Sequence, residues 1–168
     1  MAQQMTATDA AKKLVAGEQL GTVLGMTEAK IQSLAALAFS VYQQGQFQSA
    51  AKLFAGVAAL DNKNYLGYAG LGAVALAQKP PDLDSAHANL SRAAELNPND
   101  AAVQANLGEV LLRQGKVDEA KQHLETAFKL DPGHNDAGVN RARAIVSGLN
   151  TIVTEIENRE KRQIPKAS

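Results

Sequence analysis

Apolar and small residues recur along residues 101–134 with a spacing that predicts two short helices joined by a turn. If this stretch is numbered from 1 to 34, Gly108 and Ala120 take positions 8 and 20, where two helices would cross. The segment Gln114–Lys116 lies at the expected turn, and Pro132 lies where the second helix must end. The pattern therefore predicts one helix–turn–helix unit.

Two more stretches carry the same pattern. Residues 65–100 form a copy with two extra residues in the turn at 79–82, and residues 31–64 form a copy with Asn62 in place of the closing proline. Paired helices with a period of about 34 residues are typical of the tetratricopeptide repeat (TPR). The predicted fold class is all-α: a TPR superhelix of three repeats, with an N-terminal helix and a C-terminal capping helix.

The flanking segments differ from the repeats, as terminal parts of a repeat array do. Residues 1–30 predict an N-terminal helix, placed at 8–16, followed by a flexible glycine-punctuated connection. Residues 135–162 predict a capping helix that covers the end of the third repeat, and residues 163–168 predict a frayed tail. The apolar stripe of the capping helix comprises Val139, Ala142, Ile145, Val146, Leu149, Ile152, Val153 and Ile156.

Composition supports closely packed helices and narrows the function. Alanine accounts for 31 of 168 residues and aromatic residues for 4%, which suits helices in close contact and disfavours an all-β sandwich. Seventeen basic residues balance seventeen acidic ones without a basic patch, which disfavours nucleic acid as the partner. The chain contains no cysteine, and neither a secretory signal nor a membrane span is predicted, so we expect a cytoplasmic protein without membrane insertion.

The first helix of each repeat is expected to line the concave side of the superhelix. Helical spacing directs positions 2, 5, 9, 12 and 13 of each repeat toward that side. The predicted peptide-binding residues are Gln32, Ala35, Phe39, Tyr42, Gln43, Leu66, Ala69, Ala73, Leu76, Ala77, Ala102, Ala105, Glu109, Leu112 and Arg113. They would form a shallow apolar groove in which Gln43, Glu109 and Arg113 could bond a peptide backbone. The alternative is that several of them only pack against neighbouring helices.

No arrangement of residues indicates catalysis. The three histidines lie far apart in sequence and lack partners at the spacing of metal ligands, and we expect His87 and His123 to be solvated. Neither a phosphate-binding loop nor a nucleophile elbow is present. We therefore predict a protein that is not an enzyme, with no catalytic residue, no metal and no cofactor.

One part of the chain is more specific than a generic repeat. It comprises Leu37, Ala38, Phe39, Tyr42, Gln43, Gly45, Phe47, Ala50, Lys52 and Phe54, then Leu60 and Asp61, then Gly70, Leu71, Gly72 and Ala73. This pattern resembles the class II chaperones of type III secretion translocators. The resemblance places Phe39, Tyr42 and Ala73 on the groove side.

The resemblance implies a function in the bacterial cytoplasm. It implies that the groove binds a short extended segment near the N-terminus of hydrophobic translocator proteins, which stay soluble and apart before export. It also implies a possible homodimer formed through residues 8–30, and for some members an influence on the expression of secretion genes. Two alternatives are a generic TPR scaffold in another assembly, such as a pilus or envelope machine, and a subunit or regulator of an enzyme.

Overall fold

A computed structural model describes residues 6–163, and this part of the chain contains helices and no strand. The helices are α1 (Ala7–Val15), α2 (Leu20–Val23), α3 (Glu28–Gln43), α4 (Phe47–Leu60), α5 (Tyr65–Ala77), α6 (Leu83–Leu96), α7 (Ala101–Arg113), α8 (Val117–Leu130) and α9 (Ala137–Gln163). Helices α3/α4, α5/α6 and α7/α8 form three packed pairs, and α9 packs mainly on α7. The all-α repeat fold predicted from the sequence is confirmed.

The first and third pairs turn in the same way. At the end of α7 the N–H of Gly115 donates to Leu112 O at 3.0 Å, and the N–H of Lys116 donates to Leu111 O at 2.9 Å. This is a Schellman motif, which needs a left-handed residue after the helix, and Gly115 has φ +78°. Gly45 plays the same part after α3 with φ +76°. Three residues therefore suffice to reverse the chain in both pairs.

Glycines set the distance between the two helices of a pair. A Cβ on Gly108 would lie 2.6 Å from Cγ of Leu124, and a Cβ on Gly72 would lie 2.5 Å from Cγ of Leu90. Leu90 and Leu124 thus pack directly on the backbone of the preceding helix. Leu90 is also fully buried in one cluster with Leu111 of α7, so the core of the second repeat continues into the third.

The connection before the first repeat differs from the prediction. The sequence predicts a flexible connection between the helix at 8–16 and the first repeat at 31, but helix α2 forms within it and packs on α4. Gly21 is part of that contact, since a Cβ on it would lie 2.8 Å from Leu60 O. Its small size serves close packing, whereas Gly17 and Gly25 do adopt positive φ at +88° and +68°.

Helix α9 covers the third repeat with its first half only. Val139 and Ala142 are buried among Ala105, Leu124 and Ala127, as the capping role predicts. The distal stripe was expected to be covered too, but its residues are about half exposed: Leu149, Ile152, Val153 and Ile156. The reason is length. At 1.5 Å per residue the 27 residues of α9 extend about 40 Å, whereas the 14 residues of α8 extend only about 21 Å.

The predicted tail at 163–168 lies outside the described residues except for Gln163, which ends α9. Residues 1–5 of the N-terminal segment also lie outside them. Of the helices in the described part, none combines the length and apolarity that crossing a membrane requires.

Candidate functional site

The concave side holds a pocket of about 200 Å³. It is bounded by the first helices of the three pairs, α3, α5 and α7, and by α9. Its lining consists of Tyr42, Ala73, Leu76, Ala77, Asn106, Glu109, Arg113 and Arg141. One wall is therefore aromatic and aliphatic, and the opposite wall is polar.

Equal spacing of the helices creates this pocket. Helices α5, α7 and α9 begin at Tyr65, Ala101 and Ala137, which are 36 residues apart. Equivalent positions of successive helices therefore face the same side. Asp100 and Asp136 fix two of these starts, because their carboxylates accept the N–H of Val103 and Val139 at 2.9 Å.

The polar wall is an ordered cluster around Glu109, which is 2% exposed. Its Oε1 accepts from Nη2 of Arg113 at 2.7 Å, one turn along α7, and its Oε2 accepts from Nε of Arg141 at 2.8 Å, from α9. Arg141 Nη2 also donates to Oδ1 of Asn106 at 2.8 Å. Each carboxylate oxygen thus accepts from a guanidinium group, so Glu109 holds the two arginine side chains in place.

Six of the fifteen predicted residues meet in this pocket: Tyr42, Ala73, Leu76, Ala77, Glu109 and Arg113. They occupy positions 9, 12 and 13 of their repeats, toward the C-terminal end of each first helix. The Tyr42 ring is steadied by Phe47 of α4, with the ring centres 5.4 Å apart.

Position 5 needs a correction. Ala35, Ala69 and Ala105 are 0%, 8% and 1% exposed, so they pack between helices and do not line the groove. The first helices of successive repeats contact one another, and alanine is small enough for that contact. At this position the packing alternative describes the structure.

The other predicted residues are dispersed. Phe39 packs edge-on against Phe54 with the ring centres 4.8 Å apart, and Leu66 packs on the cluster of Ile31 and Val57. Leu112 packs against the buried clusters of the third repeat and lines a second hollow, with residues of α8 and α9. Neither these three residues nor Gln32, Gln43 and Ala102 line the pocket.

Sequence reasoning missed Asn106 and Arg141. Arg141 is the fifth residue of α9, just as Ala69 is the fifth residue of α5 and Ala105 the fifth of α7. The same 36-residue spacing, extended by one helix, therefore predicts Arg141 as a groove residue. Helix α9 lies outside the three predicted repeats, so the groove positions counted within a repeat end with α7. Asn106 carries no such signal, since it does not lie at one of the five groove positions.

The histidine prediction is also corrected in part. His123 is half-buried, and its Nδ1 lies 2.7 Å from Oε1 of Gln104, whose Nε2 donates to Pro98 O. Burial lowers the pKa of His123 below the ordinary value. Within the described residues, no group of three or more histidine or acidic side chains could hold a metal ion.

Comparison with known proteins agrees with this architecture. A family model described as Tetratricopeptide repeat matches residues 81–146. This chain has a tetratricopeptide-repeat fold. No curated protein sequence matches the chain significantly.

Solved structures extend the comparison. The chain is 25% identical to the Yersinia enterocolitica secretion chaperone SycD, solved with a peptide of the translocator YopD, over 78% of this chain and 97% of SycD, at a TM-score of 0.59. It is 27% identical to Pseudomonas aeruginosa PcrH, solved with the chaperone-binding region of PopB, over 71% of this chain and 97% of PcrH, at a TM-score of 0.58. The predicted resemblance of this TPR protein to translocator chaperones is confirmed.

A third structure shows how widely the fold is used. The second TPR of Spaghetti (RPAP3), solved with an HSP90 peptide, is 24% identical over 60% of this chain and 91% of that one, at a TM-score of 0.54. At that identity the likeness concerns the fold alone.

Proposed function

We propose that this TPR protein is a chaperone of type III secretion in the bacterial cytoplasm. It binds an extended apolar segment of hydrophobic translocator proteins in the concave pocket and keeps them soluble and apart before export. The observation that carries the proposal is its similarity to SycD and PcrH over 97% of each chaperone, both solved with translocator segments.

The geometry of the pocket supports an extended client. Tyr42, Ala73 and Ala77 present an apolar wall to the pocket, which suits apolar side chains of a strand-like peptide. Such a peptide would bury roughly 600–1,000 Å² and bind reversibly. Binding would withhold the apolar segment from self-association by mass action.

Co-expression tests the proposal. The chain is expressed with the translocators of its own genome and, as outside probes, with PopB and YopD. We expect a translocator to move into the soluble fraction and to co-purify. If every one of these translocators stays insoluble and none co-purifies, the chaperone proposal is wrong.

Tyrosine variants locate the binding site. Tyr42→Ala should weaken client binding about tenfold or more, because the tyrosine is the largest apolar side chain of the pocket. Tyr68→Ala is the matched control, since Tyr68 lies on α5 against Arg92 and outside the pocket. Equal client binding by the two variants would show that the client does not bind on the concave side.

The TPR scaffold in another assembly is the alternative function. The peptide-bound Spaghetti domain makes it reasonable, because the same fold there holds a different kind of partner. Co-purification from cells of a stable complex that lacks translocators would favour it. Either function needs no chemistry of its own, and turnover of a nucleotide or ester by the purified chain would contradict both.

We also propose that the dimer predicted through residues 8–30 uses α1. This helix buries none of its residues, and Leu14 and Val15 are exposed on it. Sedimentation equilibrium should give a dimer mass that falls to the monomer mass in Leu14→Gln/Val15→Gln. A monomer mass for the parent protein would contradict the proposed dimer.

A further inference from the structure

The pocket contains more positive than negative charge. Among the described residues that line it, Arg113 and Arg141 are basic and Glu109 alone is acidic. Arginine stays protonated in proteins, and the two guanidinium groups share the single carboxylate of Glu109 at 2.7 and 2.8 Å. The pocket therefore carries a surplus of one positive charge next to an apolar wall.

The guanidinium groups of Arg113 and Arg141 are held in place, but they keep N–H donors that can bind a ligand. A guanidinium group has five N–H donors. In the described part of the chain, Arg113 donates one hydrogen bond and Arg141 donates two. Both side chains are about half exposed, at 45% and 48%, so several N–H groups remain directed at solvent.

Fixed positions make these donors better suited to a ligand than ordinary surface arginines. The buried carboxylate of Glu109 holds both side chains, and Asn106 holds Arg141 a second time. A ligand that bonds them therefore loses less side-chain entropy than it would with mobile arginines. Planar guanidinium groups match carboxylate oxygens in pairs.

We propose that Arg113 and Arg141 bind the side-chain carboxylate of an aspartate or glutamate that stands beside an apolar residue in the client segment. The apolar neighbour packs on Tyr42 and Ala73, and the carboxylate balances the surplus charge. This specificity rests on the proposed chaperone function, because it assigns an acidic position to the same extended segment. The acidic residue is internal to the client, so the carboxylate is that of a side chain and not of a chain end.

Three short peptides test the proposal directly. The probes are acetyl-Leu-Glu-Leu-amide, its twin acetyl-Leu-Gln-Leu-amide, and acetyl-Leu-Gln-Leu with an unblocked terminal carboxylate. The readout is the NMR shift of the Nε–H signals of Arg113 and Arg141 in nitrogen-labelled protein. We expect saturable shifts with the glutamate peptide and at least tenfold weaker binding of the glutamine peptide. Binding of the glutamate peptide should weaken as the salt concentration rises, whereas binding of the glutamine peptide should not.

Arginine variants supply the control. Arg113→Gln and Arg141→Gln should each abolish the preference for glutamate over glutamine. Arg92→Gln should keep it, because Arg92 is an exposed arginine paired with Glu95 at 2.9 Å on α6, outside the pocket. Equal shifts by the twin peptides, no saturable shift in the millimolar range, or binding of only the peptide with the terminal carboxylate would each overturn the proposal.

The outcome is separate from that of the chaperone proposal. If a translocator co-purifies equally with the parent chain and with Arg113→Gln, the chaperone function stands and the acidic specificity is wrong. If no translocator co-purifies but the glutamate peptide binds at the arginines, the pocket binds carboxylates for another partner.

Discussion

The ring of Phe54 lies directly against the backbone of Gly70, leaving no room for a Cβ atom between them. Phe54 is fully buried on α4, in the first repeat, and Gly70 lies on α5, in the second. The contact therefore joins two repeats, and such interfaces add to the intrinsic stability of each repeat in an array.

Gly70→Ala should destabilise the fold by about 2–3 kcal/mol, because the added methyl overlaps a ring that cannot move in a packed core. The gain in helix propensity of up to about 1 kcal/mol is smaller than this cost. Urea unfolding followed by circular dichroism measures the free energy of unfolding.

Gly56→Ala is the matched control, since a Cβ on Gly56 meets only Cδ2 of Leu34, at 4.0 Å. It lies in α4 as Gly70 lies in α5, and it should leave stability unchanged or raise it by up to about 1 kcal/mol. If both variants unfold at the same urea concentration, the Phe54 contact does not limit the packing of the repeats.

The sequence predicts the contacts within a repeat better than those between repeats. Gly108 and Ala120 stand at fixed positions of one 34-residue period, so they can be recognised without a structure. Gly70 occupies no such position of the 34-residue period, and only the more specific pattern of the family resemblance includes it. Its small size is required by Phe54 of the preceding repeat, and periodicity within one repeat contains no information on that pair.

The pocket could be predicted in part for the same reason. Helical spacing places Tyr42 and Ala73 on the concave side, where the structure has them. Spacing cannot tell a groove residue from one that packs between first helices, and so it also selected Ala35 and Ala105. Arg141 belongs to a helix outside the repeats, and its partner Glu109 is 32 residues away.

Mild acidification should destabilise the fold through protonation of His123. The pKa of its ring is lowered by burial, His87 lowers it further, and Glu119 opposes both. Since the unfolded chain binds the proton more tightly, stability should fall as pH drops below the ordinary histidine value of about 6.5 and level off below the folded pKa. Thermal unfolding measured between neutral and mildly acidic pH checks this.

His123→Gln should flatten that part of the pH profile. His134→Asn is the control, because His134 is exposed in the turn before α9 and asparagine tolerates its positive φ of 58°. A profile that keeps its slope in His123→Gln would show that another group titrates.

The two halves of helix α9 should contribute unequally to the free energy of unfolding. Val139→Ala should cost about 2 kcal/mol, because Val139 is fully buried between α7 and α8 residues. Ile156→Ala should change stability by less than about 0.5 kcal/mol, because Ile156 is half exposed. The two free energies of unfolding are compared at one protein concentration; equal losses would mean that the distal half is covered in solution.

Asp131 should control stability at lower pH. Its carboxylate accepts the N–H of Asn135 at 2.9 Å and of Asp136 at 3.1 Å, and it pairs with Arg143, whose guanidinium group lies 5.1 Å from the centre of the Phe128 ring. The backbone bond from Asn135 contributes most to lowering the pKa of Asp131 below its ordinary range.

A lowered folded pKa means that the charged form stabilises the fold. This contribution is complete above the ordinary aspartate pKa of about 3.9 and is lost as pH falls through the lower folded value. Asp131→Asn should therefore reduce stability at neutral pH and weaken the dependence on acid, as measured by urea midpoints from neutral to strongly acidic pH. Asp118→Asn, at an exposed aspartate in the first turn of α8, should retain the acid dependence of the parent chain. An unchanged acid profile in Asp131→Asn would assign the acid sensitivity of the fold to other carboxylates.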